Sequence, residues 1–311
     1  PRSTQGVSSA ASDVYKRQTM DIGISGLASS HGDIGLLAQK IEEFGFDSIW
    51  LPEHPVIPVE YKSRYAGTSD GSVPESMAHQ VNPFIALACA SATTKTLKLG
   101  TGVCLVTEHN PLDLAKQIST LDSISGGRFI FGIGTGWFRE ESEIMGADFD
   151  HRWTQAREHV SAMKALWTQD EAEFHGRYVD FPAVRCNPKP TQNPHPPVLL
   201  GGASENVFKW IVRWGDGWLP IRVSPDDVKG ARAALSELSE AAGRDSESIS
   251  ITVYGQEPDR DLIERFEEAG ANSVIVRVTA PDQASVLSVS LIHISEPTRL
   301  GMISYAVFCL K

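Results

Sequence analysis

The chain has 311 residues, a formal net charge of −11 and a hydrophobic fraction of 41%. This balance suits one large α/β domain or two small ones and excludes a general binder of phosphate backbones, although a local basic pocket is still allowed. No stretch is long and apolar enough to span a membrane.

The ends are set aside before the fold is read. Ser8–Gln18 (SSAASDVYKRQ), Ser290–Arg299 (SLIHISEPTR) and Ile303–Leu310 (ISYAVFCL) resemble translated sequencing-library adapters. The expectation is therefore a foreign leader over 1–19, a natural domain over 20–288 cut before its last helix, and a foreign tail over 289–311. The leader lacks the apolar core of a secretory signal. Cys89, Cys104 and Cys186 are scattered and read as free thiols of a reducing compartment, with Cys309 inside the adapter-like tail. This points to the cytoplasm.

Asp21–Gly26 reads as a first strand. Asp33 caps a helix with Ile34, Leu37, Ala38, Ile41 and Phe44 on one face, ended by Gly45. Phe46–Leu51 is a second strand leading into Pro52-Glu53-His54-Pro55. Val56–Gln80 is polar and rich in Gly, Ser and Pro, the composition of a lid or binding loop. Asn82–Thr93 is helical, Leu97–Leu105 is a third strand, and Pro111 opens a helix burying Leu114, Ala115, Ile118 and Leu121. The stretch Gly126–Trp137 (GGRFIFGIGTGW) holds a fourth strand, an unbroken apolar run between glycine turns. Asp150–Thr168 is helical, with Trp153, Ala156, Val160, Met163 and Trp167 at alternating spacings of three and four.

Ala172–Pro190 breaks the rhythm and suggests an inserted hairpin. Pro197–Leu200 is a fifth strand, after which Ser204 caps a helix burying Val207, Phe208 and Ile211. Gly217–Pro220, Ile249–Tyr254 and Asn272–Val278 complete the strands, with helices over Pro225–Ala242 and Asp259–Ala269 between them. Eight strands alternating with helices imply parallel strands and right-handed crossovers. The count favours a closed (β/α)8 TIM barrel over its rival, an open doubly wound sheet.

In a barrel the chemistry sits at the carboxyl ends of the strands. There the sequence places Glu53 and His54, then Gly102 and Val103 with Glu108, His109 and Asn110 after them. Gly134, Gly136 and Trp137 follow strand four, Gly201, Gly202, Ala203 and Ser204 follow strand five, and Trp218 and Arg222 flank strand six. His54 suits a general acid or base, since an imidazole titrates near neutrality, or else a structural role bonded to Glu53 or a backbone carbonyl; Glu53 is expected either to orient it or to cap the next segment. Gly201–Ser204 offers bare amides at a helix N-terminus, where a phosphate is favoured, although an ordinary strand–helix turn has the same residues. Trp137 suits either a flat ring or the core.

Other motifs fail. Gly132, Gly134 and Gly136 have Trp137 where a dinucleotide fingerprint wants glycine, and there is no Walker A or H-E-x-x-H pattern. His151 and His159, eight apart on a helix, read as solvated surface and not as metal ligands. Asp226-Asp227 and Glu267-Glu268 read as solvated faces. Glu53 and Glu108 could serve a glycosidase, but glycine and aromatic residues dominate the rim.

The chain resembles the luciferase-like monooxygenase superfamily, and within it the coenzyme F420-dependent oxidoreductases. The resemblance is carried by Phe46–His54 (FDSIWLPEH), Leu99–Val103 (LGTGV), His109–Leu121 (HNPLDLAKQISTL), Ser125–Trp137 (SGGRFIFGIGTGW), Phe174–Phe181 (FHGRYVDF) and Pro197–Gly202 (PVLLGG). It implies a (β/α)8 barrel, a homodimer, and a flavin or deazaflavin lying across the rim. It further implies a catalytic or cofactor-contacting role for His54 and a non-proline cis peptide at Gly102–Val103 behind the ring. Gly201, Gly202, Ala203 and Ser204 would hold the phosphate, and Gly136 and Trp137 would line the cofactor beside Glu53.

One departure stands out. Some deazaflavin-dependent dehydrogenases carry a proton-donating glutamate where this chain has Trp137, which puts a sugar-phosphate substrate in doubt. Glu140 and Glu141 are nearby but shifted. The resulting expectation is hydride transfer between reduced coenzyme F420 and a small organic substrate, with no metal, nucleic acid or membrane partner. The alternatives are an FMN-dependent monooxygenase and a flavin-binding barrel without turnover.

Overall fold

A computed structural model describes residues 20–26 and 33–278. The expectations for 1–19 and 289–311 lie outside the described residues. Eight parallel strands close on themselves in the order β1 (Asp21–Ser25), β2 (Ser48–Leu51), β3 (Lys98–Thr101), β5 (Phe129–Gly134), β8 (Val198–Gly201), β9 (Gly217–Leu219), β10 (Ser250–Gln256), β11 (Ser273–Arg277) and back to β1. The expected (β/α)8 barrel is the observed fold. No helix among the described residues is long and apolar enough to cross a membrane.

Helices α1 (Ile34–Glu43), α2 (Pro83–Thr93), α3 (Pro111–Ser125), α5 (Arg152–Thr168), α6 (Glu205–Trp214), α7 (Pro225–Ala242) and α8 (Arg260–Glu268) cover the strands. Their boundaries follow local chemistry. Asp33, Asn82 and Asn110 each accept a backbone N–H of the helix they open, and Pro83 and Pro111 fill first-turn positions that need no N–H. Ser224 and Asp227 form a reciprocal capping box on α7, so Asp227 does more than face solvent. The insertion over 172–184 is the expected antiparallel hairpin, β6 (Ala172–His175) with β7 (Asp180–Val184).

The interior has two parts. The larger core lies between strands and helices, around residues such as Leu87, Leu114, Ile118, Phe129 and Met163. A smaller one plugs the barrel itself: Trp50, Leu199, Leu219 and Ile275, with Val103, Ile130 and Tyr254 packed on it. Two glycines make room for the aromatic rings of this plug. A Cβ on Gly100 would fall 2.3 Å from the Trp50 ring, and one on Gly102 would fall 2.2 Å from the Tyr254 ring.

Three expectations are corrected. Strand three is not continuous: β3 stops at Thr101, and β4 (Cys104–Leu105) resumes against β5 alone, in the register Cys104↔Ile133 and Leu105↔Gly134. The intervening Gly102–Val103 peptide is cis, as the resemblance implied. A short helix, α4 (Arg139–Ile144), stands in a segment to which the periodicity assigned no element, and the helix expected from Asp150 begins at Arg152 after a tight turn over Phe149–His151. His159 is not on the solvated surface. It is buried on the inner side of α5, its Nδ1 lying 3.1 Å from the Val106 carbonyl, while His151 is exposed.

The opposite end of the barrel is held by Arg128. Its guanidinium donates to the carbonyls of Ser125 (2.7 Å), Leu97 (2.7 Å) and Ser91 (3.0 Å) and to the Thr94 hydroxyl (2.9 Å), which satisfies the end of α2 and the entry to β3 together. Arg128→Met should strand these acceptors and lower stability by about 2–4 kcal/mol, with the barrel otherwise intact, as chemical denaturation would measure.

Candidate active site at the carboxyl rim

Two carboxylates organise the rim. Glu53 follows β2 and is 4% exposed. Its Oε2 accepts the Leu105 N–H at 2.8 Å and lies 3.0 Å from His109 Nε2. Burial pushes its pKa up, but hydrogen bonds from His109, Leu105 and the Cys104 thiol outweigh this and hold it below the usual carboxylate value. Glu53 therefore does not orient His54, contrary to expectation. Consecutive side chains on extended backbone leave in opposite directions: Glu53 turns to β4, and His54 turns to α4.

His54 meets Glu141, a fully buried carboxylate on α4, with Nδ1 and Oε2 2.7 Å apart. An acceptor oxygen at Nδ1 places the ring proton there and makes Nε2 the acceptor nitrogen of the neutral ring. Glu141 Oε1 also accepts the Val56 N–H at 3.4 Å, where the long loop begins. The neighbouring Glu140 takes the next stretch of that loop, accepting the N–H groups of Lys62 (2.7 Å) and Ser63 (3.2 Å). Helix α4 thus fixes both the imidazole and the base of the loop. Sequence reading missed Glu141 as the partner of His54. Two acidic residues in the first turn after the Gly-Thr-Gly-Trp stretch were the available signal for a helix there.

The expected site residues fall at one end of the barrel. The Trp137 ring lies 6.1 Å from the His54 ring, 5.2 Å from Tyr65 of the loop, and stacks on Phe138 at 4.7 Å with an interplanar angle of 12°. Val103 packs toward strands β5 and β8, because a Cβ added to Gly134 would fall 2.6 Å from Val103 Cγ2, and one added to Gly201 would fall 3.5 Å from Cγ1. Gly136 has φ +74° and Gly202 φ +101°, conformations that glycine adopts freely. Gly202, Ala203 and Ser204 are exposed at the start of α6. Ser204 occupies the N-cap position but, contrary to expectation, makes no side-chain capping bond. The helix start is thereby left without a side-chain cap, and its orphan N–H groups suit an anion. Gly202 is further held by its carbonyl, which accepts Trp218 Nε1–H at 2.7 Å.

Arg222 follows β9 with φ +55° and donates to the Ala66 carbonyl at 2.8 Å, its guanidinium 5.8 Å from the Tyr65 ring. The loop is therefore pinned from both sides of the mouth. Glu53, Cys104 and His109 bring three metal-ligating atom types within 4.8 Å of one another. Their atoms are already engaged, however: Glu53 Oε2 accepts two N–H donors, and burial followed by the Glu53 charge pushes the Cys104 thiol well up, away from the thiolate a metal needs.

A closed parallel barrel with a carboxylate-held imidazole, an aromatic wall and an uncapped helix start on one rim is the framework of a (β/α)8-barrel enzyme. A family model described as luciferase-like monooxygenase matches residues 18–257, and the chain belongs to that family of oxidoreductases, which act on small organic substrates. It is 38% identical over 252 residues to an uncharacterized protein of Mycobacterium tuberculosis, covering 80% of this chain and 87% of the relative. It is 29% identical over 192 residues to an FMNH2-dependent dimethylsulfone monooxygenase of Pseudomonas putida, covering 61% of this chain and 50% of that protein. Among solved structures, the coenzyme F420-dependent tetrahydromethanopterin reductase of Methanopyrus kandleri superposes with a TM-score of 0.68 at 18% identity, covering 94% and 99% of the two chains.

Because the Glu53 carboxylate is held below its unfolded value of 4.5, the stability it contributes is present above that value and is lost as pH falls through the lower folded one. Glu53→Gln should cost about 3–5 kcal/mol at neutral pH, the scale of breaking a buried pair, and should flatten the acid side of the stability curve below about pH 4.5. Thermal unfolding against pH in both proteins measures both effects.

Proposed function

We propose that the protein transfers a hydride between reduced coenzyme F420 and a small organic substrate, with His54 handling the accompanying proton. The observation that carries this reading is the seating of His54 Nδ1 on the Glu141 carboxylate, 2.7 Å away and beside Trp137, which leaves Nε2 to exchange the proton. The residues present fit a flat cofactor with a phosphate. The bare backbone at Gly202 and Ala203, together with the open start of α6, would hold the phosphate; Gly201 and Ser204 flank it. Val103 at the break after β3 would back the ring, and Gly136 and Trp137 would line it; Glu53 acts beneath them by holding β4 in place. When bound, the cofactor supplies the two-electron chemistry.

The protein's own part is orientation and proton handling. Glu141 fixes the tautomer and plane of the imidazole, so a proton leaves or arrives at Nε2. Trp137 and Tyr65, with the buried Phe138 stacked behind Trp137, form an aromatic wall that favours flat or apolar substrate surface and sheds water from the reacting groups. Coenzyme F420 is favoured by the near-complete overlay on a reductase that uses it.

A second reading, an FMN-dependent monooxygenase, is favoured by the Pseudomonas relative, whose name states that dependence. Titration with each cofactor, followed by oxygen consumption of the reduced complex without substrate, separates the two. Deazaflavins react poorly with oxygen, so rapid consumption supports FMN, and tight binding without turnover on any substrate supports a binding barrel. A homodimer, expected from the resemblance, is checked by sedimentation.

His54→Ala should lower turnover roughly 10²–10⁴-fold while changing cofactor affinity by less than about threefold. Ala203→Asp, which sets a negative charge at the exposed helix start, should weaken cofactor binding by roughly tenfold or more and leave the fold intact. Unchanged affinity in that variant would remove the phosphate site from α6.

A further inference from the structure

Behind the His54–Glu141 pair stands a second carboxyl group that no cation matches among the described residues. Glu108 ends the short turn Val106–Glu108 after β4 and is 4% exposed. Ser142 Oγ donates to its Oε1 at 2.8 Å, and its buried Oε2 has no partner among the described residues. Gly136 leaves the space in which this contact sits, since a Cβ there would fall 3.2 Å from Glu108 Oε1 and 3.0 Å from Ser142 Oγ. Glu108 thus lies directly under the turn that carries Trp137.

The titratable groups around it come from four elements. Glu141 on α4 and Glu53 after β2 both raise its pKa through their negative charge. Cys104 on β4 is a protonated thiol. The three imidazoles nearby are committed elsewhere: His54 to Glu141, His109 to Glu53, and His159 on α5 to the Val106 carbonyl. A carboxylate at this position would be an uncompensated buried charge beside two others, which is far more costly than a neutral acid. Burial and then the Glu141 charge push Glu108 up to about 8, with only the Ser142 hydroxyl acting the other way.

We propose that Glu108 is a positioning residue that works as an uncharged carboxylic acid, so that Glu108 and Glu141 together present a single negative charge to His54 and thereby set how readily Nε2 gives up its proton. The inference rests on the reading of His54 given above. With Glu108 neutral, Glu141 alone balances the imidazolium. When Glu108 loses its proton to solvent, a second negative charge stands behind the ring, the imidazolium is stabilised, and Nε2–H becomes a weaker acid. Proton donation then declines on the alkaline side although His54, the cofactor and the substrate pocket are untouched.

Infrared titration tests this on the whole protein. The wild-type protein should show, at pH 7, the carbonyl band of a protonated carboxylic acid that fades as pH passes about 8. The band should be missing at pH 7 in Glu108→Gln. Glu141→Gln removes the neighbouring charge and should move the midpoint down by about one pH unit or more. The His54 ring nitrogens, followed by NMR in the wild-type protein, should show an inflection at that same midpoint, and Glu108→Gln should lose it. The wild-type titration and Glu141→Gln stand without Glu108→Gln, should that variant fold poorly. Absence of the acid band at pH 7, or a midpoint unmoved in Glu141→Gln, overturns the proposal. Cofactor binding measured on the same samples keeps the two readings apart. A missing band with normal cofactor binding defeats this inference alone, and a normal band without cofactor binding defeats the proposed function alone.

Discussion

One carboxylate oxygen takes the place of a strand pairing. Strand β2 ends at Leu51, and β4 resumes after Val103 with only β5 beside it. On the other side, Oε2 of Glu53 accepts the Leu105 N–H that a continued β2 would have received, and the same atom holds His109 at the start of the next segment. A buried charge with two donors on one oxygen fixes direction more sharply than a neutral contact could. Val103 is thereby held where the barrel plug meets the rim, against Gly134 and Gly201. The position of the proposed cofactor ring depends on this tie.

The second organising feature is α4, six residues that serve three neighbours. Glu141 takes His54 and the first amide of the loop, Glu140 takes its amides at 62 and 63, and Ser142 takes Glu108. Imidazole, loop and buried acid are thus mounted on one short element. A displacement of α4 would move all three together, and this couples the order of the loop to the orientation of His54.

The barrel was legible because its signals are local. Apolar runs bounded by glycine and proline, and helices opened by Asp33, Asn82, Asn110 and Ser224, read correctly one at a time and sum to the fold. The break in strand three was not legible from pattern, since after Lys98 the stretch Leu99–Leu105 is a continuous run of small and apolar residues. What interrupts it, Glu53 and Tyr254, lies about 50 and 150 residues away in sequence. The cis peptide was expected from family likeness, not from periodicity. His54 was identified by chemistry and position, but its partner was sought next door at Glu53, because a linear reading ignores the alternation of side chains on extended backbone. Glu141 and Glu108 were two acidic residues among many until tertiary packing buried them. His159 was misplaced for a related reason: α5 packs along more of its circumference than its aromatic stripe suggests.

Trp50 and Tyr254, sitting 6.3 Å apart with their rings nearly perpendicular, act as a stopper. The cylinder has a mouth but no drain. Anything bound at the carboxyl rim therefore enters and leaves on that face of the barrel and not along its axis.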